Sequence, residues 1–365
     1  MATMDSGRYI ELLREMIRIP SLSFEEEAVS AHISGRLTEW GIAHERVHGN
    51  IIAVNKGYDP AKKTLALDAH IDTVPANGGY TREPLEPGDD ADTVYGLGSN
   101  DDGGSVVAMT AAFCHFYDKE LPINLMLTLS VEEERSGPDG ARWIYAPDGY
   151  LAQSGRYNMP TWAIVGEPTC MRAATSERGL LVIDGEAHGV SGHAARGEGV
   201  NALYIALEDI AKLRAFRFER ISPIMGEVKL NVTQIEAGKA HNVIPDLCRF
   251  VVDIRPTEQY SNEQIMELLQ GFCSSELKAR NLTNRSSATR SGSPLMKTAE
   301  QLGIESFSSP TTSDWMRLNC DAIKMGPGDS SRSHRPDEYI RVDEITQGID
   351  KYIEFIDKFY GNTLE

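Results

Sequence analysis

The chain has 365 residues, of which 41% are hydrophobic and 25% are charged, and its formal net charge is −18. This length exceeds what one hydrophobic core usually needs and predicts two domains. The negative charge argues against nucleic acid or an anionic membrane as the main partner. No segment approaches the roughly 20 apolar residues of a membrane-spanning helix. The N-terminal region lacks the apolar core of a signal peptide, so we expect a cytoplasmic protein.

The first part of the chain alternates between helices and strands. Helices are predicted at about 6–18 and 24–40, and extended segments at Asn50–Val54 and in TLALDAHID. A helix follows from Gly104 through VVAMTAAFCHFY, and INLMLTLSVEEE and WAIVGEPT are predicted strands. Apolar strands separated by helices predict an α/β fold with a mixed, largely parallel sheet sandwiched by helices. In such folds the functional residues lie at the carboxyl ends of the strands.

The pattern changes at about residue 178. LLVIDGEAHG, EVKLNVTQIEAG and CRFVVDIRP are predicted strands, and NALYIALEDIAKLRAF and NEQIMELLQGFC are predicted helices. This β-α-β-β-α order favours an inserted ferredoxin-like α+β domain. The polar segment 279–294 is predicted to link back to the first domain, in which helices near 295–302 and 342–359 and the strand AIKMG follow. We therefore expect a catalytic domain of residues 1–177 and 290–365, and an inserted domain of residues 178–289.

Five side chains that can bind metal stand at predicted strand ends or in adjoining loops: His70, Asp101, Glu134, Glu167 and His334. Nitrogen and oxygen donors of this kind suit Zn²⁺, for which Co²⁺ or Mn²⁺ can substitute. Three carboxylates balance most of the charge of two dications, so the set predicts two ions roughly 3.5 to 4 Å apart. The glycine-rich turn before Asp101 would allow that carboxylate to bridge them.

Each cluster also has an ordinary interpretation when it is taken alone. His70 and Asp72 could be a surface pair, the EEE run at 132–134 a solvated helix start, and Asp101 a helix cap. Their joint occurrence at the ends of apolar strands favours the metal centre. Asp72 would then orient His70 through the other ring nitrogen. Because neighbouring side chains diverge, Glu134 as a ligand leaves Glu133 to act as the general base.

The five cysteines are scattered and form no CxxC pair: Cys114, Cys170, Cys248, Cys273 and Cys320. This distribution predicts reduced thiols. Cys170 lies close to Glu167 in the sequence and is an alternative soft ligand, although a zinc-binding cysteine usually belongs to a tight cluster.

Seven segments in this order resemble the motifs of the dizinc aminoacylase and carboxypeptidase family: HIDTVP, GLGSNDDGG, SVEEERSG, VGEPT, GVSGHAARGEGVNA, HNVIPD and SHRPDEY. The resemblance covers about residues 7–360. It implies two Zn²⁺ ions per subunit and a homodimer formed through the inserted domain, which would act as a lid. By this resemblance His70 and Glu167 hold one ion, Glu134 and His334 hold the other, Asp101 bridges them and Glu133 is the base.

The resemblance also assigns three residues of the inserted domain. His193 would enter the active site of the partner subunit and stabilise the oxyanion, whereas its residue type alone indicates an ordinary loop histidine. Asn242 and Arg255 match substrate-binding positions, and Arg255 could hold a carboxylate through two hydrogen bonds. A surface ion pair is the alternative for Arg255. Family members often carry a lysine after the bridging aspartate, where this sequence has Asp102. An acid near the cleft would favour a substrate with a cationic side chain.

The segments HRPDEY and GPGD most resemble the acetylornithine deacetylase branch of the family. We therefore expect a small-molecule substrate and deacylation of N-acetyl- or N-succinyl-ornithine or -citrulline in arginine biosynthesis. Two alternatives use the same metals: a succinyl-diaminopimelate desuccinylase, and a dipeptidase or carboxypeptidase. A non-catalytic binding homologue is a third alternative, which the presence of all ligands and of the base disfavours.

Overall fold

The structure, a computed structural model, describes residues 6–363, which divide into two compact units. The first unit contains the residues up to 175, residues 288–307 and the residues from 313 onward, and the second contains residues 176–287 and 308–312. The sequence placed the domain boundaries after residues 177 and 289, and it did not anticipate that 308–312 belong with the second unit.

The described residues form nine α-helices: α1 (Gly7–Ile17), α2 (Glu27–Glu39), α3 (Gly104–Phe116), α4 (Ala141–Tyr145), α5 (Tyr150–Ser154), α6 (Ala202–Ala215), α7 (Asn262–Gln270), α8 (Pro294–Gln301) and α9 (Val342–Thr363). They also form 17 strands: β1 (His44–Val47), β2 (Asn50–Val54), β3 (Thr64–His70), β4 (Thr93–Tyr95), β5 (Asn124–Ser130), β6 (Trp162–Val165), β7 (Ala173–Glu177), β8 (Leu181–His188), β9 (Gly192–His193), β10 (Lys229–Ala237), β11 (Val243–Ile244), β12 (Leu247–Arg255), β13 (Glu276–Ala279), β14 (Ser287–Ala288), β15 (Ser306–Ser309), β16 (Asp321–Lys324) and β17 (Tyr339–Arg341).

The large sheet has the strand order β1-β2-β5-β3-β6-β16-β7-β14, and β15 pairs with β7. Its four central strands, β5, β3, β6 and β16, are parallel, whereas β2 and β7 are antiparallel to their inner neighbours. Every residue of β3 and β5 is buried, as expected for strands of a sheet covered on both faces. The predicted α/β class is therefore confirmed.

Helices α1, α3 and α9 pack together in the main hydrophobic core of the first unit. Helix α3 is apolar on almost all sides, and every residue from Gly104 to Phe113 is buried. Helix α9 is amphipathic and buries one face, which includes Ile349, Tyr352 and Phe359. Because α3 begins directly after the turn that contains Asp101, this packing fixes the position of that turn against the sheet.

The second unit contains a four-stranded antiparallel sheet in the order β10-β12-β8-β13. Helix α6 packs on β8, β10 and β12, and helix α7 packs on β13. This strand order and the β-α-β-β-α-β sequence of elements are those of the ferredoxin-like fold that the sequence predicted. Strand β10 lies at one edge of the sheet.

Several elements differ from the sequence predictions. The predicted linker at 279–294 contains the short strand β14, and α9 continues beyond residue 359 to Thr363. The three-residue strands β4 and β17, which pair with each other, were not predicted. Among the described residues, no helix is long and apolar enough to cross a membrane.

Candidate metal centre

The five predicted ligands lie close together in the first unit, and three of them lie at or just after the ends of strands of the large sheet. His70 ends β3, Glu134 lies in a short 3₁₀ turn after β5, and Glu167 follows β6. The ligand atoms of His70, Asp101 and Glu167 all lie within 4.8 Å of one another, and so do those of Asp101, Glu134 and His334. Because the carboxyl ends of adjacent parallel strands meet at one edge of a sheet, residues distant in the sequence converge here.

Asp101 is common to both groups and faces a different histidine with each carboxylate oxygen. Its Oδ1 lies 3.2 Å from Nε2 of His70, and its Oδ2 lies 3.7 Å from Nε2 of His334. Nε2 of His334 also lies 2.8 Å from Oε1 of Glu134. Two histidines and three carboxylates, with one carboxylate between the two halves, are a donor set that fits two divalent cations.

Asp72 contacts both His70 and the acidic loop at 132–134. Nδ1 of His70 lies 3.0 Å from the carbonyl oxygen of Asp72 and 3.3 Å from its Oδ1, which leaves Nε2 facing Asp101. Oδ1 of Asp72 accepts the backbone N–H of Glu133 at 3.0 Å, and Oδ2 accepts that of Glu134 at 3.1 Å. The hydroxyl of Ser23 donates to Oδ2 at 2.7 Å. One buried carboxylate thus orients a histidine and holds the loop that carries Glu133 and Glu134.

Glu132, the first acid of that loop, has a structural environment. It is buried, its backbone φ is 63°, and its Oε2 accepts the N–H of Asp139 at 2.9 Å. Its own N–H donates to Oε1 of Glu26 at 3.0 Å. A Cβ at Gly137 would lie 2.0 Å from Oε2 of Glu132, so the loop requires glycine there. Of the three consecutive acids, Glu132 therefore belongs to the scaffold.

The electrostatics of the cluster show an excess of negative charge. Burial, with smaller contributions from neighbouring carboxylates, raises the pKa of Glu133 and of Glu167 well above the usual range. Burial alone would lower the pKa of His70, but its contacts with Asp101 and Asp72 outweigh burial and raise the pKa well above the usual value. The hydrogen bond to Glu134 raises the pKa of His334 to about 9. Two dications would neutralise this charge.

The structure corrects the expectation for Asp102 and does not support the alternative of Cys170 as a ligand. Asp102 is only 1% exposed, so it cannot face a substrate as expected. Its carboxylate lies against Gly166, where an added Cβ would be 2.9 Å from Oδ2. Cys170 is exposed and belongs to none of the potential ligand groups found among residues 6–363.

The sequence analysis missed two buried carboxylates that hold the ligand-bearing loops. Glu26 accepts the backbone N–H groups of Phe24 and Glu132, and Glu338 accepts those of Asn100 and Asp101. Glu338 lies inside the quoted segment SHRPDEY, which was the available signal. Glu26 follows the polar segment PSLSF and has no comparable signal, because a hydrogen bond to a distant backbone amide leaves no pattern of side chains.

The three predicted residues of the inserted domain lie in the second unit. Strand β9 pairs with β11 so that His193 is opposite Val243, and the N–H of Ala194 donates to the carbonyl oxygen of Asn242 at 3.0 Å. His193 and Asn242 are thus brought together in one β-ribbon. Nδ1 of His193 accepts the N–H of Ala195 at 3.2 Å, which places the proton of a neutral ring on Nε2.

Arg255 makes the ion pair that was the alternative to substrate binding. Its Nε donates to Oδ1 of Asp253 at 2.9 Å, and its Nη2 donates to Oδ2 at 3.1 Å. Two of its five N–H groups are therefore occupied, and the remaining donors are those of Nη1 and the second N–H of Nη2.

A mixed α/β sheet with histidines and carboxylates gathered after its strands defines a metal-dependent hydrolase with a zinc-exopeptidase-like fold. Residues 66–358 match the model of Peptidase family M20/M25/M40, and the chain belongs to this family. The predicted family and the prediction of a metal-dependent amide hydrolase are confirmed by these comparisons.

Relatives named for two related reactions are similar over most of their length. Acetylornithine deacetylase of Myxococcus xanthus is 28% identical in an alignment 318 positions long that covers 82% of this chain and 80% of that protein. Succinyl-diaminopimelate desuccinylase of Cereibacter sphaeroides is 27% identical in an alignment 366 positions long that covers 92% of this chain and 94% of that protein.

Solved structures show the same fold at low sequence identity. An M20 family metallo-carboxypeptidase of Sulfolobus solfataricus has a TM-score of 0.75 at 18% identity, with coverage of 98% of this chain and 99% of that one. A dinuclear metal-binding M20 peptidase of Bacillus subtilis has a TM-score of 0.70 at 16% identity, with 97% of both chains covered.

Proposed function

We propose that the protein hydrolyses the amide bond of an N-acyl amino acid, most specifically N-acetyl- or N-succinyl-ornithine or -citrulline in arginine biosynthesis. The observation that carries this proposal is the position of Asp101 between His70 and His334, with the carboxylate of Glu133 beside the same cluster. The acetylornithine deacetylase from Myxococcus xanthus supports the choice of substrate. The desuccinylase from Cereibacter sphaeroides makes succinyl-diaminopimelate the second candidate.

In the proposed centre His70 and Glu167 would hold one Zn²⁺ ion, Glu134 and His334 would hold the other, and Asp101 would contribute to both. Bound there, the ions would supply Lewis-acid chemistry for the acyl carbonyl and would lower the pKa of the attacking water. Glu133 accepts the proton of that water and returns it to the departing amine. Asp72 fixes the position of the base relative to two of the ligands, because its carboxylate contacts His70, Glu133 and Glu134.

The second unit is proposed to supply contacts to the substrate. The Nε2–H of His193 is a suitable donor to the oxyanion, and we assign it to the active site of the partner subunit. Asn242, which shares the ribbon of His193, and Arg255 are proposed to bind the amino-acid part. Arg255 would use its remaining donors or exchange Asp253 for the substrate carboxylate.

Two features of the second unit support a homodimer. One edge of β10 pairs with β12, and the other has no strand partner within residues 6–363. Helix α6, which packs on β8, β10 and β12, exposes Tyr204 and Leu207, and β10 exposes Ile235. Long unprotected edges with apolar neighbours favour pairing with another chain. We propose that a second copy of the protein pairs with β10 and covers these side chains.

The substrate assignment is tested with a panel of N-acetyl-, N-succinyl- and N-formyl derivatives of ornithine, citrulline and diaminopimelate, together with dipeptides. Each compound is assayed with added Zn²⁺ and with added Co²⁺. We expect the highest kcat/KM for an acylated ornithine or citrulline. Turnover of dipeptides alone would overturn the deacylase proposal. Preference for succinyl-diaminopimelate would overturn the assignment of ornithine or citrulline as the substrate and favour the desuccinylase reaction.

A further inference from the structure

Glu338 is a buried carboxylate that no step of the proposed reaction uses. It is 2% exposed and lies four positions after His334, directly before strand β17. The pairing of β17 with β4 fixes its backbone, and its carbonyl oxygen accepts the N–H of Gly96 at 2.8 Å. Its side chain therefore extends from a rigid position.

The side chain of Glu338 binds the backbone of the turn that contains Asp101. Its Oε1 accepts the N–H of Asn100 at 2.9 Å and the N–H of Asp101 at 2.9 Å. Both amides point to one oxygen, so a small shift of that oxygen alters two hydrogen bonds at once.

The side chain of Asn100 adds a second connection between the same two segments. Its Nδ2 donates to the carbonyl oxygen of Asp329 at 3.1 Å, and its Oδ1 accepts the N–H of Asp329 at 2.9 Å. The turn with Asp101 is thus joined to the His334 loop at two places: at Asp329, before His334, and at Glu338, after it.

We propose that Glu338 is a positioning residue for the metal centre, which holds the backbone of Asp101 so that one carboxylate oxygen faces His70 and the other faces His334. This inference rests on the proposed function, because it takes Asp101 as the bridging ligand. Glu338 couples the bridging residue to the loop of a second ligand. Glu26 and Asp72 bind the backbone of the acidic loop in the same way, so two ligand-bearing loops are held by carboxylates that are not themselves ligands.

Two conservative variants separate the hydrogen-bond acceptor from the charge. Glu338→Gln keeps an oxygen at the same distance and removes the charge, whereas Glu338→Asp keeps the charge and withdraws the oxygen by one methylene group. The full-length protein is stripped of metal with a chelator and titrated with Co²⁺. The affinity and the visible absorption spectrum of bound Co²⁺ are recorded, so that the result does not depend on activity.

We expect Glu338→Asp to bind Co²⁺ about 10- to 100-fold more weakly with an altered spectrum, and Glu338→Gln to resemble the wild type. Asp209→Ala is the matched control. Asp209 is also buried and accepts two adjacent amides, those of Ser274 and Ser275, but it lies in the second unit. This variant should lose thermal stability and keep wild-type Co²⁺ binding.

Wild-type affinity and spectrum in Glu338→Asp would overturn the positioning role, and so would equal losses in Glu338→Gln and Glu338→Asp. If the wild-type protein itself bound fewer than two Co²⁺ ions per chain, the proposed dinuclear centre would fail instead. The two failures are therefore distinguishable.

Discussion

The carboxylate of Asp72 accepts the backbone N–H of Glu133 at 3.0 Å, although 61 positions separate the two residues in the sequence. The same carboxylate contacts His70, so the proposed base and a proposed ligand depend on one side chain. The orientation of a histidine and the position of a catalytic loop are thereby linked.

Asp72→Asn should lower kcat and metal affinity together, each by about 10- to 100-fold. Each oxygen of Asp72 accepts one backbone N–H, so either orientation of the asparagine amide in this position places its NH₂ group against the N–H of Glu133 or Glu134. Steady-state kinetics and competition with a chromophoric chelator measure the two losses. Ser23→Ala is the control, since it removes one hydrogen bond to the same carboxylate without touching the acidic loop. Wild-type metal affinity in Asp72→Asn would contradict the linkage.

Substitution by glutamine should have a different effect at each of the three consecutive acids, Glu132, Glu133 and Glu134. Glu133→Gln should lower kcat by about 10²- to 10⁴-fold with two metal ions retained, because the proton acceptor is lost. Glu134→Gln should lower the metal content, and Glu132→Gln should mainly lower the melting temperature, since Glu132 binds the backbone of Asp139. Kinetics, metal analysis and calorimetry on the three variants test this assignment. Metal loss in Glu133→Gln with full occupancy in Glu134→Gln would reverse the two roles.

Metal binding should release a proton from His334. The hydrogen bond to Glu134 raises the pKa of His334 to about 9, above the value of about 6.5 for an unperturbed histidine. Without metal, the charged pair of His334 and Glu134 stabilises the fold fully below about pH 6.5, and this contribution is lost as the pH rises through about 9. Since a metal ion displaces this proton, the affinity should increase with pH up to about 9.

Calorimetric titration with Zn²⁺ in buffers of different ionisation enthalpy counts the released protons. At pH 7.5, His334→Gln should release fewer protons than the wild type. Equal proton release by the two proteins, or a metal affinity independent of pH, would show that metal binding does not displace a proton from His334.

His193→Ala should lower kcat by about 10²-fold or more with the metal content unchanged, as expected for loss of an oxyanion donor. Mixing His193→Ala with Glu133→Ala protein tests whether the histidine acts across a dimer. With random exchange of subunits in a two-fold dimer, roughly a quarter of the wild-type activity should return. No recovery, with heterodimers verified by mass spectrometry, would exclude action in the partner's site.

Leu207→Glu should weaken the proposed dimer by at least about 10-fold, because it places a charge on the exposed apolar face of α6 that the second copy is proposed to cover. Leu268→Glu is the matched control: Leu268 is 45% exposed and Leu207 is 47% exposed, but Leu268 lies on α7, which packs on the opposite edge strand. Sedimentation velocity over a range of concentrations measures both. Equal dissociation in the two variants would contradict an interface at β10.

The sequence predicted the central strands and the convergence of the five ligands because both follow from local patterns. β5 and β6 are continuous apolar runs, and a histidine or an acid follows β3, β5 and β6 within a few positions. The pairing of β4 with β17 could not be predicted in this way, since three residues are too few to show a period and the strands are far apart in the chain.

The contacts that position the ligands were also beyond prediction. The hydrogen bonds of Glu26 and Glu338 join a side chain to a distant backbone amide, and any residue offers such an amide. The expectation for Asp102 was wrong for a related reason. Its neighbour Asp101 lies close to both histidines, whereas the carboxylate of Asp102 is enclosed beside Gly166, so adjacency in sequence did not mean a shared environment.

Apart from residues 308–312, the second unit is one inserted segment whose two ends lie close together. Strand β14 pairs with β7 there, and the N–H of Thr289 donates to the carbonyl oxygen of Thr175 at 2.9 Å. All five proposed ligands lie outside that segment, and His193, Asn242 and Arg255 lie within it. The proposed metal ligands and the proposed base therefore belong to one unit and the proposed contacts to the substrate belong to the other, so substitutions in the inserted segment would alter substrate recognition without changing a metal ligand.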